Sequence, residues 1–131
     1  MPVLASNLSP RAEDFKARYL AHLAADLKPQ RSVKVAVDCG NGTAGILARQ
    51  LFAALGAEAT LLYEEPDGRF PNHPADPVVA DNLRELIRTV RAGGYELGIA
   101  FDGDSDRIGV VDEKGDILWG DRLLMLYARD V

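Results

Sequence analysis

Residues 101–115 read FDGDSDRIGVVDEKG. Asp102, Asp104 and Asp106 alternate with small residues, and Arg107 follows at once. Two carboxylates about 4 Å apart repel by about 4 kcal/mol at an effective dielectric of about 20. Three of them in one tight loop call for a proton or a cation among them, unless all point into water. Oxygen-only donors at this spacing suit a hard divalent ion such as Mg2+, an ion that often works beside phosphate. Arg107 suggests the same partner, because its planar guanidinium matches a phosphoryl group in a way that lysine does not.

Such a loop must be held by regular elements, and the apolar runs ELGIAF (96–101) and IGVVD (108–112) on either side read as strands. Upstream, SPRAEDFKARYLAHLAADL (9–27) has apolar residues at helical spacing, with Ser9 as a candidate cap and Pro10 in the first turn. His22 falls in this helix and reads as a surface or boundary residue rather than a ligand. VKVAVD (33–38) is a buried-type strand, TAGILARQLFAALG (43–56) a helix ending on Gly56, and AEATLLYEE (57–65) a second strand. PDGRFPNHPADP (66–77) is too rich in Pro, Gly and Asn for either element. VVADNLRELIRTVRAGG (78–94) is a helix, EKGD (113–116) turns the chain into a short ILW segment, and GDRLLMLYARDV (120–131) begins another helix near Asp121.

Strands alternating with helices predict a parallel sheet covered on both faces. The fourth strand follows the third too closely for a crossover and is expected to be antiparallel. The expectation is one α/β domain over 1–131, with a leading helix in 1–29 and the sheet and aspartate loop in 30–131.

Two other motifs compete for the chemistry. Gly40, Gly42 and Gly45 in CGNGTAG form a literal G-x-G-x-x-G after a strand, with Glu64 and Glu65 downstream where a dinucleotide site wants an acid. The same glycines also serve close strand-to-helix packing, and a nicotinamide site leaves three aspartates unexplained. An EF-hand is the second rival, since acids fall at places one, three, five and twelve (Glu113) from Asp102. Its sixth place is Arg107 where glycine is required, and strands replace the flanking helices. A nucleophile is harder to find: Ser105 alone among the serines lies near the aspartates, with no base beside it. His73, in FPNHP, is read as stabilising its turn.

With 131 residues there is room for one core, and a net charge of −5 gives no basic footprint for nucleic acid. No apolar run reaches a membrane span, and residues 1–10 do not resemble a signal peptide. The lone Cys39 reads as a reduced, packed thiol in a cytoplasmic setting.

The ordered stretches VDCGNGTAG, LYEEPDGRFPNHPADP, LGIAFDGDSDRIGVVDEKG and DRLLMLYARDV resemble the second domain of the α-D-phosphohexomutases, most closely the bacterial phosphomannomutase/phosphoglucomutase branch. The resemblance covers nearly the whole chain. It implies a four-domain isomerase that interconverts hexose 1-phosphates and 6-phosphates, of glucose and mannose, through a bisphosphorylated sugar. A phosphoserine of the first domain would give and recover the phosphoryl group. The implied fold is three-layer α/β/α around a mixed four-stranded sheet, three strands parallel and one an antiparallel edge. Asp102, Asp104 and Asp106 would be the Mg2+ ligands, and Arg107 would contact phosphoryl or sugar groups. The partners implied are the sugar phosphate, the phosphoserine and the sister domains.

Two departures stand out. Ser105 occupies a place where many members have glycine, and these residues include no T-x-S-H-N-P-like phosphoserine loop or sugar-recognition loop. The chain therefore reads as one domain of a longer mutase, inactive alone. A free-standing nucleotide-binding or regulatory module, or an inert α/β module, are the competing readings.

Overall fold

The computed structural model describes the backbone of residues 3–131 and the side chains from Phe15 onward. In chain order the elements are α1 (Val3–Asp26), β1 (Lys34–Asp38), α2 (Ala48–Ala54), β2 (Glu58–Leu62), α3 (Arg84–Gly93), β3 (Leu97–Phe101), β4 (Ile108–Asp112), β5 (Ile117–Leu118) and α4 (Gly120–Asp130). Single 3-10 turns, Thr43–Ile46 and Ala80–Leu83, lead into α2 and α3.

The sheet is mixed and five-stranded, in the order β2-β1-β3-β4-β5. β1 pairs parallel with β2 and β3, and β4 pairs antiparallel with β3. The expected four-stranded sheet is corrected here: β4 is interior, and β5 forms the edge by pairing antiparallel with Val110 and Val111. The cause lies in the EKGD turn. Asp112 Oδ1 accepts from the Lys114 and Asp116 amides at 2.9 Å each, and Gly115 adopts φ +85°. That closed turn sends Ile117 and Leu118 straight back along β4.

Alternation along β1 explains its near-complete burial. Val35 and Val37 join Cys39 and Ala48 in one cluster, against which Phe52 of α2 packs. Ala36 joins the other cluster, with Leu83, Leu86 and Val90 at helical spacing on α3 and its entry turn. β3 takes part through Gly98, where a Cβ would come within 2.9 Å of Val90 and 3.0 Å of Leu86. The missing side chain lets helix and strand approach.

Several boundaries differ from expectation, each for a local reason. α1 starts at Val3, so the backbone places Ser9 and Pro10 inside the helix; the Ser9 side chain lies outside the described residues. β2 ends at Leu62 because Tyr63 turns into φ +51°. α3 begins late because Asp76 and Asn82 hold the preceding chain out of helix: the Val78 amide donates to Asp76 Oδ1, and Asn82 Nδ2 donates to the Asp76 carbonyl. At its far end α3 stops on Gly94 in the left-handed region, as a glycine there allows.

Candidate metal and phosphoryl site

In parallel-sheet proteins, sites gather beyond the carboxyl ends of the strands. Asp38 ends β1, Asp102 follows β3, and those two strands are neighbours in the sheet. Three loops meet above them: the glycine turn after β1, the aspartate loop after β3, and the proline-rich loop after β2.

The aspartate loop closes on itself. The Asp102 amide donates to the Arg107 carbonyl at 3.3 Å, and the Ser105 amide donates to the Asp102 carbonyl at 3.1 Å. Ser105 sits at φ +64°, a conformation that glycine adopts freely and serine adopts at a cost, which is the reason glycine suits this place. Its hydroxyl bonds that of Thr43 at 3.0 Å, tying the loop to the glycine turn.

Ligand oxygens of Asp102, Asp104 and Asp106 lie within 4.8 Å of one another, with Asp102 buried and the other two exposed. Arg107 grips Asp102 twice: its amide donates to Oδ1 at 2.9 Å, and its Nε donates to Oδ2 at 3.0 Å. Burial works against ionisation of Asp102, but the Arg107 amide, a hydrogen bond shared with Asp106 and the guanidinium together hold its carboxyl below the usual range. Asp106 moves the other way: the hydrogen bond shared with Asp102, then the charges of Asp102 and Asp104, push it up. This is the like-charge conflict expected from the sequence, and Arg107 relieves it chiefly at Asp102, its Nε lying 3.0 Å from that carboxylate and 3.7 Å from Asp106.

These residues fit a hard divalent ion. Opposed oxygens around Mg2+ are about 4.2 Å apart, twice a bond of about 2.1 Å. The exposed side chains of Asp104 and Asp106 can close the remaining gap, and all three donors are carboxylates.

Five amides of the glycine turn are taken up by the fold. The amides of Gly40, Asn41, Gly42, Thr43 and Gly45 donate to Asp38 Oδ1, Tyr63 O, Cys39 O, Gly103 O and Gly42 O respectively. Pyrophosphate recognition by such a turn needs amides that are free. Glu64, placed for a ribose, is instead gripped by Arg49 through Nε at 2.9 Å and Nη2 at 2.5 Å. What the glycines provide is close approach: a Cβ on Gly42 would lie 2.8 Å from the Gly103 carbonyl, and one on Gly45 would collide with the carbonyl of Glu64. Glu113, the twelfth place of the calcium reading, lies beyond the far end of β4 and shares a recess with Arg31 and Glu96.

The proline-rich loop contributes what the sequence did not disclose. Asn41, at φ +58°, is its hub: its carbonyl accepts from the Asp67 amide, its Nδ2 donates to Glu65 O, and its Oδ1 accepts from Asn72 Nδ2, each at 2.8 Å. His73 Nδ1 bonds the Pro74 carbonyl and Nε2 bonds Asp38 Oδ2, both at 2.7 Å. Asp38 is fully buried, and burial raises its carboxyl pKa against the opposing charge of His73. The ring of Phe70 lies over Gly103, and Asp76 Oδ1 accepts from Arg107 Nη1 at 3.3 Å. The one signal for this role was the presence of His73 and Asp76 among turn-forming residues.

The chain is thus a mixed α/β domain that gathers a carboxylate triad and an arginine in the loop beyond the carboxyl end of β3. Residues 17–115 match the family described as phosphoglucomutase/phosphomannomutase, alpha/beta/alpha domain II, and the chain belongs to that family. It is 52% identical over 114 residues to a phosphomannomutase/phosphoglucomutase of Pseudomonas putida, covering 87% of this chain and 25% of that protein. A phosphoglucomutase of Neisseria gonorrhoeae is 45% identical over 119 residues, covering 91% and 26%. Among solved structures, a phosphoglucomutase/phosphomannomutase family protein from Burkholderia thailandensis superposes with a TM-score of 0.85 at 46% identity, over 88% of this chain and 25% of that one. The chain thus spans about a quarter of the length of the curated relatives it matches. Among the described residues, no helix is long and apolar enough to cross a membrane.

Proposed function

We propose that this chain is the metal-binding domain, second of four, of a cytoplasmic phosphohexomutase that interconverts the 1- and 6-phosphates of glucose and mannose. Its helices and sheet would form a three-layer α/β/α unit of that enzyme. The observation that carries the reading is the Asp102, Asp104 and Asp106 triad at the strand ends of a chain from this family. Asp102, Asp104 and Asp106 would hold Mg2+. Bound there, the ion supplies Lewis-acid stabilisation of charge on a transferring phosphoryl group.

The chain's own residues then divide the remaining work. Asp102, anchored by Arg107 and buried, sets the position of the cluster, and the exposed Asp104 and Asp106 complete it. Arg107 is half exposed and presents guanidinium hydrogens to phosphoryl oxygens of a sugar phosphate or of a phosphoserine on a sister domain. Phosphoryl transfer also needs a donor and an acceptor held in line. These 131 residues have neither a phosphoserine loop nor a sugar-recognition loop, so the chain assayed alone should form no 6-phosphate from glucose or mannose 1-phosphate, even with Mg2+ and the bisphosphate.

Mn2+ is the direct probe. Its paramagnetic broadening of amide resonances should centre on residues 102–107 and be reversed by excess Mg2+. Broadening centred on Glu64 and Glu65, or saturable NAD-induced shifts at residues 40–46, would favour the nucleotide module instead.

A further inference from the structure

Arg107 is held at two different nitrogens by two different loops. Nε donates to Asp102 Oδ2 at 3.0 Å within its own loop, while Nη1 donates to Asp76 Oδ1 at 3.3 Å in the loop that follows β2. Nη2 has no hydrogen-bond partner among the described residues, and half of the side chain faces solvent. An arginine fixed at one nitrogen can still swing about its last torsions. Contacts at Nε and at Nη1 lie on opposite edges of the planar group and together define its plane and its heading.

Asp76 is itself placed firmly. Its Oδ1 accepts from the Val78 amide, its own amide donates to the Pro74 carbonyl, and its carbonyl accepts from Asn82 Nδ2. Three residues earlier, His73 ties the same loop to the buried Asp38. The chain from β1 through His73 and Asp76 to Arg107 is therefore continuous.

We propose that Asp76 is a positioning residue, clamping the Arg107 guanidinium so that Nη2 is directed outward to receive a phosphoryl oxygen. The proposal rests on the function proposed above and assigns it a residue outside the aspartate loop. Its physical content is separable from charge. Asp76 is an anion beside an anion-binding arginine, so by electrostatics alone its removal strengthens phosphate binding. A clamp makes the opposite demand, because a freed guanidinium must be re-ordered on binding.

Two substitutions in the 131-residue chain separate these effects. In Asp76→Asn the amide oxygen still accepts from Nη1 and from Val78, and only the charge is lost. In Asp76→Ser the hydroxyl can still cap the Val78 amide, as serine does in such turns, but is too short to reach the guanidinium. The order parameters of the Arg107 15Nη groups and their shifts on titration with inorganic phosphate in saturating Mg2+ are the readouts. The expected result is an ordered Arg107 with unweakened phosphate binding in Asp76→Asn. In Asp76→Ser these groups should be disordered and phosphate binding about 3- to 10-fold weaker, the scale of one hydrogen bond. Equal order in all three proteins overturns the clamp, whether or not phosphate shifts any resonance, as does tighter phosphate binding in Asp76→Ser. Mn2+ broadening in the same unsubstituted sample tests the metal reading separately: its absence from residues 102–107 would defeat that function while leaving the Arg107 order parameters to judge the clamp.

Discussion

Replacing His73 by alanine should lower the stability of the domain by about 3 kcal/mol at neutral pH. Asp38 has no solvent exposure, and its Oδ2 faces His73 Nε2 at 2.7 Å, while its Oδ1 takes the Gly40 amide at 2.8 Å. The Pro74 carbonyl can only accept, so His73 Nδ1 carries a hydrogen, and one further proton lies between Nε2 and Asp38. Truncating the ring strands a buried carboxylate, a change that typically costs about 3–5 kcal/mol. The lower end applies because the His73 side chain is 16% exposed and water can enter from that side. For a domain of this size the loss corresponds to a fall of about 10 °C in Tm.

The pH dependence follows from the same carboxyl. Burial raises the folded-state pKa of Asp38, the charge of His73 opposes the rise, and Glu85 adds a smaller push upward. A raised acid gives its stabilisation in full below the unfolded value of 3.8 and loses it as pH climbs through the folded value. Without His73 the folded value climbs further, so the deficit should be largest at pH 7 and narrow towards pH 4. Asp38→Asn, which keeps the Gly40 contact and can donate to a neutral Nε2, should lose less and show little pH dependence. Urea denaturation of both variants at pH 7, 5.5 and 4 provides the comparison. A His73→Ala deficit that is the same at every pH, or below about 1 kcal/mol throughout, would refute the buried-pair argument.

Two further outcomes test the packing around the site. Gly45→Ala should destabilise by about 3 kcal/mol or prevent folding, since its Cβ would meet the rigid Glu64 carbonyl, whereas Gly68→Ala has open space and should stay within about 0.5 kcal/mol in thermal melts. Cys39 is fully buried and its thiol is pushed up to about 12, first by burial and then by the charges of Asp38 and Glu64. At pH 8 only about one molecule in ten thousand carries the thiolate, so a disulfide reagent should label Cys39 only after denaturation.

The sequence alone determined those features in which neighbouring residues share one physical task. The aspartates 102, 104 and 106 lie so close in the chain that their clustering was legible from spacing alone. The β1 run and the α3 stripe of Leu83, Leu86 and Val90 report burial through their period, and antiparallel pairing of β3 and β4 follows from connection length. β5 escaped because two apolar residues after a turn have no period to read, and only the closed Asp112–Asp116 turn makes them a strand. The glycine motif was ambiguous for a deeper reason: whether an amide is free or taken depends on what the fold brings against it. Here Asp38, Tyr63 and Gly103 arrive from the strand end and from distant loops and take those amides. Asn41, His73 and Asp76 likewise gain their roles from partners 31 to 35 residues away. A polar side chain in a loop has no preferred partner until tertiary packing excludes water from around it, and that step is decided by the folded structure.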